Sequence, residues 1–263
     1  MSYQKLVLAI LLVASACRAQ TGLGEPDLRL LFTGDIMLSR QVQAQYSLRK
    51  RSPWSNLKAL FAKADWVGGN FEGTIGDSSQ CLSAKNCFAT QAAAVPILRE
   101  AGIRGLTVEN NHSGDVGAAG REATRTALQQ AGLMPVSFET SPQFIRLKNT
   151  TIALVAITLV RAADGQVQTI PSVEVTQKLR TARKLANLVV VSIHWGAELV
   201  DWPTETQHQQ AKWLVDHGAD AQQDQHHHNP DDDRAAHEFH GDRSKNDRSG
   251  HPPRHQCRMT NSG

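Results

Sequence analysis

The sequence has no apolar run long enough to cross a membrane as a helix. Its longest run, near the N-terminus, holds about a dozen residues, whereas a membrane span needs roughly twenty. It also has little net charge, +3 over 263 residues, and no dense basic stripe, which argues against a nucleic-acid partner. Hydrophobic residues make up 40% of the chain, so it can bury the core of one ordinary domain.

Residues 1–20 have the composition of a targeting segment. Lys5 supplies the positive start, residues 6–13 the short apolar stretch, and residues 14–16 the small-residue pattern that a signal peptidase recognises. Cys17 follows directly, which leaves two interpretations, a cleaved signal peptide or a lipoprotein acylated on Cys17. Both predict an exported protein, in the periplasm or at the outer face of the cell membrane. A lipid on Cys17 would be its only membrane anchor.

Cysteine is scarce, with four residues in the chain. Cys81 and Cys87 close the short polar segment CLSAKNC, and in an oxidising compartment they can form a loop disulfide or remain two free thiols. A zinc pair is disfavoured because zinc sites use closer spacing and need further cysteine or histidine ligands nearby.

From Leu28 onward, short apolar runs alternate with segments of helical periodicity, a pattern that predicts a layered α/β domain. The predicted strands lie at 28–35, 67–73, 103–112, a hairpin over 144–160 that turns at 149–150, and 188–196. The predicted helices lie at 55–66, 92–102, 121–132, 175–187 and 205–218.

The composition changes abruptly after Asp220. Residues 221–263 contain no Val, Ile, Leu, Trp or Tyr, yet they hold seven of the eleven histidines. Such a segment cannot bury enough apolar surface to offset its conformational entropy, so we predict a domain over 28–220 and a disordered tail over 221–263. The tail is either genuine or the product of a frameshift, because the α/β pattern stops where an apolar strand should follow.

Four of the predicted strands end in polar residues suited to a divalent metal. Each has a structural explanation when taken alone, as a cap, a loop residue, a turn residue or a hydrogen-bonded core histidine. Together they favour a site, because ligands gather beyond the carboxyl ends of strands in an α/β sheet. Their oxygen and imidazole groups suit manganese, iron or zinc, and two such ions could activate a water against a phosphate ester. The predicted metal ligands are Asp35, Glu72, Asn111 and His194.

Four segments, FTGDIMLSR, NFEG, NNHSGDVG and SIHWGAE, occur in the order that resembles CapA-type capsule-synthesis proteins, also called poly-γ-glutamate biosynthesis proteins. The resemblance covers about residues 28–220 and implies a metallophosphoesterase-like domain, a relative of the calcineurin-like enzymes. By this resemblance, Asp35 is a first-motif metal ligand, with Met37 where a histidine is usual, and Glu72 is the bridging carboxylate. Asn111 is a ligand of the second metal and His194 a further ligand. The resemblance also implies that His112 is the general acid and that Asp115 orients it.

The resemblance breaks off after residue 220. There the family continues with a strand and a Gly-His-x-Pro-His type motif, whereas this chain reads AQQDQHHHNP. We therefore expect the C-terminal part of the family domain to be missing and metal binding to be weakened. The resemblance implies an exported envelope protein for capsule or poly-γ-glutamate synthesis or export, with an anionic polymer or phosphoester substrate and envelope proteins as partners. An active metal-dependent hydrolase and a defective frameshifted copy are the alternatives.

Overall fold

The computed structural model describes residues 28–49, 52–83, 86–196, 200, 202–224 and 260–261. The targeting segment, with Cys17, and residues 225–259 of the predicted tail lie outside the described residues. The predictions of a signal peptide, of lipidation and of a disordered tail therefore stay predictions.

The described strands form two larger sheets and one short pair. The first sheet is parallel throughout, in the order β11-β1-β2-β5-β6, and the second has the order β10-β9-β8-β7, with β7 antiparallel to β8. In chain order the strands are β1 (Leu30–Ile36), β2 (Trp66–Phe71), β3 (Thr74–Ile75), β4 (Ala89–Thr90), β5 (Gly105–Thr107), β6 (Met134–Val136), β7 (Gln143–Leu147), β8 (Thr150–Thr158), β9 (Leu188–His194), β10 (Ala221–Asp224) and β11 (Thr260–Asn261).

Helices connect the strands and cover the sheets. They are α1 (Arg40–Arg49), α2 (Lys58–Phe61), α3 (Pro96–Ala101), α4 (Gly117–Gln130), α5 (Val173–Leu185) and α6 (Glu205–Asp216), with short 3₁₀ turns at Ser78–Gln80 and Ala92–Ala94. Local sequence sets several of their ends. Ser172 caps α5 through its side chain, Thr204 and Gln207 form a capping box at the start of α6, and Gly102 ends α3 in a left-handed conformation.

Alternating apolar residues sort the strands' side chains onto two faces and so build four layers. In β8, Ile152 and Leu154 pack between the two sheets, while Ala153 and Val155 pack outward under the α5 and α6 side. In the first sheet, Leu30 and Phe32 belong to the core between the sheets, and Leu31 packs outward in a core shared with α2, α3 and α4. Period-two alternation in each strand thus gives a helix–sheet–sheet–helix sandwich.

The layered α/β architecture predicted from the sequence is confirmed. The hairpin turns close to the predicted position, between Leu147 and Thr150, and each predicted helix region contains a helix. The helix predicted over 55–66 is shorter, Lys58–Phe61, because the residues before and after it form turns. Helix α1 and the short strands β3, β4 and β6 were not predicted, since none has a clear periodic pattern of its own.

The described domain also extends past the predicted boundary at residue 220. Strand β10 pairs in parallel with β9, from Ala221 opposite Val190 to Asp224 opposite Ile193, and β11 pairs with β1. The sequence of β10, AQQD, is polar because this strand lies at the edge of the second sheet. Gln223 is nonetheless buried and accepts a hydrogen bond from Ser192. An edge strand needs few apolar residues to pair, so the loss of aliphatic residues did not mark its end.

Two further features follow from the described residues. Cys81 and Cys87 form a disulfide, the first of the two alternatives that the sequence left open. Across the described part of the chain, no helix is both long enough and apolar enough to span a membrane.

Candidate functional site

The predicted ligands lie at or just after the carboxyl ends of β1, β2, β5 and β9, where the two sheets meet. The alternation of side chains along β9 explains why polar groups lie at this edge. Leu188 and Val190 face the core between the sheets, and Ser192 and His194 continue the same row, so their polar side chains point toward the first sheet. Ser192 Oγ lies 3.3 Å from Thr107 Oγ1 of β5 and links the two sheets directly.

An irregularity in β1 sets the position of Asp35. The pairing of β1 with β2 shifts register between Phe32 and Asp35, and Gly34 supplies the left-handed backbone conformation there, with φ of 71°. The shifted strand brings Asp35 opposite Asn70, whose Nδ2 donates to Asp35 Oδ1 at 2.8 Å. The carboxylate is therefore held at the edge of the sheet.

A buried asparagine network joins β1, β2 and β5. Asn70 Oδ1 accepts from Thr107 Oγ1 and from Asn110 Nδ2, both at 3.1 Å. Asn110 Nδ2 also donates to the Phe71 carbonyl at 2.8 Å, and its Oδ1 accepts the backbone N–H of His112 at 3.0 Å. Both amide side chains are completely buried. The network fixes the start of the loop that carries Asn111, His112 and Asp115.

His194 lies between predicted ligands from two other strands. Its Nε2 is 2.8 Å from Asn111 Oδ1, and its Nδ1 is 3.8 Å from Asp35 Oδ1. The His194 side chain is 8% exposed. The structure therefore brings a carboxylate, an amide oxygen and an imidazole together from β1, the loop after β5, and β9.

Glu72 follows the last residue of β2 and is 5% exposed. Its backbone N–H donates to the carbonyl of Ile36, the last residue of β1, at 3.0 Å. This bond places Glu72 at the same edge of the sheet as Asp35.

His112 and Asp115 form a buried pair beside these residues. His112 Nδ1 lies 3.0 Å from Asp115 Oδ2, and the same oxygen accepts the backbone N–H of Phe88 at 2.7 Å. The ring of Phe88 stacks on the imidazole, with centroids 3.7 Å apart and an interplanar angle of 9°. Because Nδ1 is engaged by Asp115, Nε2 is the nitrogen left to exchange a proton with a substrate.

A second, largely buried set of charged residues supports the loop that carries Asn111, His112 and Asp115. Arg121 of α4 binds Asp164 through two nitrogens, at 2.6 and 2.9 Å, and donates from its third to Ser113 Oγ at 2.8 Å. The Arg121 guanidinium holds the pKa of the Asp164 carboxyl below its usual value. Burial raises the pKa of Glu109, which accepts the backbone N–H of Phe138 at 2.9 Å.

Asp35, Asn111 and His194 line a crevice at the edge where the two sheets meet. The donors in this crevice match a divalent cation in chemical type but do not form a complete set of ligands. Asp35, Asn111 and His194 offer carboxylate, amide oxygen and imidazole, the groups that bind manganese, iron and zinc. Among the residues that the structure describes, however, no group of three or more His, Cys, Asp or Glu side chains is arranged to hold a metal ion. The described donors therefore fit a divalent cation in type and not in number.

Sequence reasoning identified the residues at strand ends but not those that hold them. Arg40, Phe88, Arg121 and Asp164 were not singled out, because nothing in the local pattern places them near His112. The only local signal was the position of Phe88 directly after the cysteine loop that the disulfide closes.

Known proteins are similar to this chain in sequence. The sequence model of the family described as "Bacterial capsule synthesis protein PGA_cap" matches residues 29–232, which extends beyond the predicted boundary at residue 220. The chain is 27% identical over 207 residues to the PGA biosynthesis protein CapA of Bacillus subtilis (strain 168), with 72% of this chain and 54% of the relative covered. It is 29% identical over 257 residues to the capsule biosynthesis protein CapA of Bacillus anthracis, with 81% and 59% covered.

The chain thus spans between half and two thirds of the length of these curated relatives. The family match covers most of the length of this chain, and it includes every predicted ligand and the His112–Asp115 pair. The chain belongs to the bacterial capsule synthesis family PGA_cap.

Proposed function

We propose that this chain acts at the cell envelope in the synthesis or export of a capsule polymer such as poly-γ-glutamate. The observation that carries the proposal is the family match over residues 29–232, supported by two relatives that are named for capsule or PGA biosynthesis. The site adds a chemical reason, because the cationic side chain of Arg40 contacts Phe88, which stacks on His112 of the buried His112–Asp115 pair.

A gene deletion in the native host tests this function. We expect loss of the chain to reduce the anionic polymer on the cell surface, and reintroduction of the full chain to restore it, measured by polymer extraction and by γ-glutamyl analysis after acid hydrolysis. Unchanged surface polymer in the deletion strain would contradict the proposal. Reading the coding DNA in three frames around codon 220 separates it from the alternative of a defective frameshifted copy.

The finer proposal concerns metal binding. Asp35, Asn111 and His194 would hold a divalent cation such as manganese, iron or zinc, one or two ions in all, with Glu72 near the same edge of the sheet. When bound, such an ion polarises a phosphoryl or carbonyl oxygen and lowers the pKa of a bound water. We expect this binding to be weak, because the donors include few anionic groups and because the chain reads AQQDQHHHNP where the resemblance implies a histidine motif.

Calorimetric titration of the chelator-treated protein with Mn²⁺ tests the metal site. We expect weak binding that disappears in Asp35→Ala and in His194→Ala and persists in Asp216→Ala, a matched aspartate on the exposed surface of α6. Binding of equal strength in all four proteins would show that the ion binds elsewhere.

A second candidate function is metal-dependent hydrolysis of a phosphoester, favoured by the buried His112–Asp115 pair. In that reaction Asp115 would orient His112, and Nε2 would protonate the leaving oxygen. Hydrolysis of p-nitrophenyl phosphate with added Mn²⁺ decides between the two. Activity that is lost in His112→Ala and lowered in Asp115→Asn supports the hydrolase, whereas a wild-type chain without activity supports the non-catalytic role.

Export is the remaining part of the proposal. The composition of residues 1–20 supports cleavage or lipidation near Cys17. Radiolabelled palmitate on the wild-type chain but not on Cys17→Ser would support the lipoprotein, and a shortened unlabelled chain would support a cleaved signal peptide. A full-length cytoplasmic protein that retains Met1 would contradict both.

A further inference from the structure

We propose that Arg40 is an anion-binding residue at the mouth of the crevice, which recognises a carboxylate or phosphate group of the substrate away from the reacting bond. The inference rests on the proposed function, since it assigns the part of the site that selects an anionic substrate. No predicted role covers Arg40, Phe88 or their contact.

The first observation is that one aromatic ring contacts both Arg40 and His112. The guanidinium carbon of Arg40 lies 4.4 Å from the centroid of the Phe88 ring, and the same centroid lies 3.7 Å from that of the His112 imidazole. Arg40 is exposed, Phe88 is half-buried and His112 is buried. Phe88 therefore links an exposed cation to the buried His112–Asp115 pair and favours a fixed position for both.

The second observation is the backbone of Arg40. Its φ is 57°, in the left-handed region, where the Cβ of a residue with a side chain crowds the backbone. Such conformations persist where the surrounding structure enforces them and are enriched at functional sites. Here the conformation turns the chain from the end of β1 into α1 at the point where the guanidinium reaches the Phe88 ring.

The third observation is the charge around Arg40. Among the residues that the structure describes, no carboxylate lies within salt-bridge distance of its guanidinium, whereas Arg121, Arg125 and Arg183 all pair with acidic residues. The guanidinium lies against the Phe88 ring. Its planar row of N–H donors is the group that matches a carboxylate or phosphate in two parallel hydrogen bonds.

Exposure separates this role from catalysis. Arg40 is exposed and His112 is buried. Both contact the ring of Phe88, and the distances of 4.4 Å and 3.7 Å put the guanidinium carbon at most about 8 Å from the His112 centroid. An anion on Arg40 therefore belongs to a different group of the substrate from the one that meets His112, as in a polymer that repeats its charge along the chain.

Fluorescence anisotropy with the full chain tests the proposal, with labelled oligo-γ-glutamate as the probe and inorganic phosphate as competitor. We expect Arg40→Gln to weaken binding about tenfold to a hundredfold, in line with the loss of charge-assisted hydrogen bonds. Arg40→Lys should recover part of the affinity, because it keeps the charge and loses the planar fork. The matched control is Arg180→Gln, which removes the same charge from an exposed position on α5.

A double-mutant cycle with Phe88→Leu tests whether the Phe88 ring positions the guanidinium. We expect Phe88→Leu to weaken binding several-fold in the wild-type background and to have no further effect in Arg40→Gln. Near-ultraviolet circular dichroism confirms that each variant is folded.

The outcomes separate cleanly. Equal affinity of Arg40→Gln and Arg180→Gln would overturn the proposal, and so would a wild-type chain that binds neither probe. In both cases the gene-deletion phenotype decides the capsule function independently. Binding of phosphate alone that depends on Arg40 would support the anion site and identify its ligand as a phosphate group.

Discussion

Arg121 and Asp164 show how much of the candidate site depends on residues that do not face the crevice. Arg121 is 8% exposed, and all three of its guanidinium nitrogens donate hydrogen bonds, two to Asp164 and one to Ser113. Asp164 also packs closely against the loop, since a Cβ added to Gly114 would lie 2.3 Å from the carboxyl carbon of Asp164. The ion pair therefore fixes the path of the loop between Asn111 and Asp115.

We predict that Asp164→Asn lowers the free energy of unfolding by about 1–3 kcal/mol, because it leaves a largely buried guanidinium without its counter-charge. Since folding lowers the pKa of Asp164, the wild-type contribution is present above the pKa of the unfolded chain and is lost as the pH falls through the folded value. Urea unfolding at pH 7 and pH 3 measures both effects.

The difference between wild type and Asp164→Asn should therefore shrink at pH 3. Asp216→Asn, which breaks the exposed pair with Lys212, is the control and should change stability little at either pH. A difference that stays constant from pH 7 to pH 3 would mean that the charge of Asp164 does not stabilise the fold.

At the residue scale, the sequence predicts positions that follow from a strand's own pattern. Asp35 after Gly34, and His194 at the end of an apolar run, could be assigned to one edge because parallel strands bring their carboxyl ends together. Arg40 and Phe88 could not, because they reach His112 from segments whose relative position is set only by the folded chain.

At the scale of elements, the Cys81–Cys87 loop has a structural role next to the candidate site. The disulfide directly precedes Phe88, whose backbone binds Asp115 and whose ring covers His112. Restricting this short loop lowers the entropy of the unfolded chain and holds Phe88 in place.

We predict that the double variant Cys81→Ser/Cys87→Ser loses about 2 kcal/mol of unfolding free energy, as expected for a closed loop of this length. Urea unfolding with and without dithiothreitol provides the control, because the reduced wild type should match the double variant. If dithiothreitol leaves the wild-type midpoint unchanged, the disulfide does not stabilise the protein.

Strand β10 shows where sequence reasoning about elements fails. Its residues, AQQD, carry no apolar alternation, so the segment reads as the start of a polar tail. The strand forms because β9 offers an unpaired edge and because Ser192, in the middle of the apolar run of β9, donates to Gln223. Both causes lie in a different element, outside any local pattern.

At the scale of the whole molecule, the candidate site exists only where the two sheets meet. Asp35 and the asparagine network belong to the first sheet, whereas Ser192 and His194 belong to the second. The apolar core between the sheets ends in this polar row, so the packing of the sandwich and the geometry of the crevice are set by the same strands.

The last prediction concerns where this sandwich ends. We expect a chain that stops at residue 224 to be nearly as stable as the full chain, because it loses only the two residue pairs between β11 and β1. We expect a chain that stops at residue 220 to lose roughly 2–4 kcal/mol. The shorter chain lacks the four residue pairs between β10 and β9 and leaves the Ser192 hydroxyl without Gln223. It also exposes a long apolar edge strand, so it should aggregate at lower urea concentrations.

Urea unfolding and light scattering of the three chains measure these effects, and Arg183 pairs with Asp220 in all of them. If both shortened chains are equally destabilised, residues 225–263 contribute to the fold and the prediction of a disordered tail is wrong. If the chain ending at 220 matches the full chain, β10 adds nothing and the boundary drawn from composition alone is the better one. A loss confined to the shorter chain would place the end of the domain after β10.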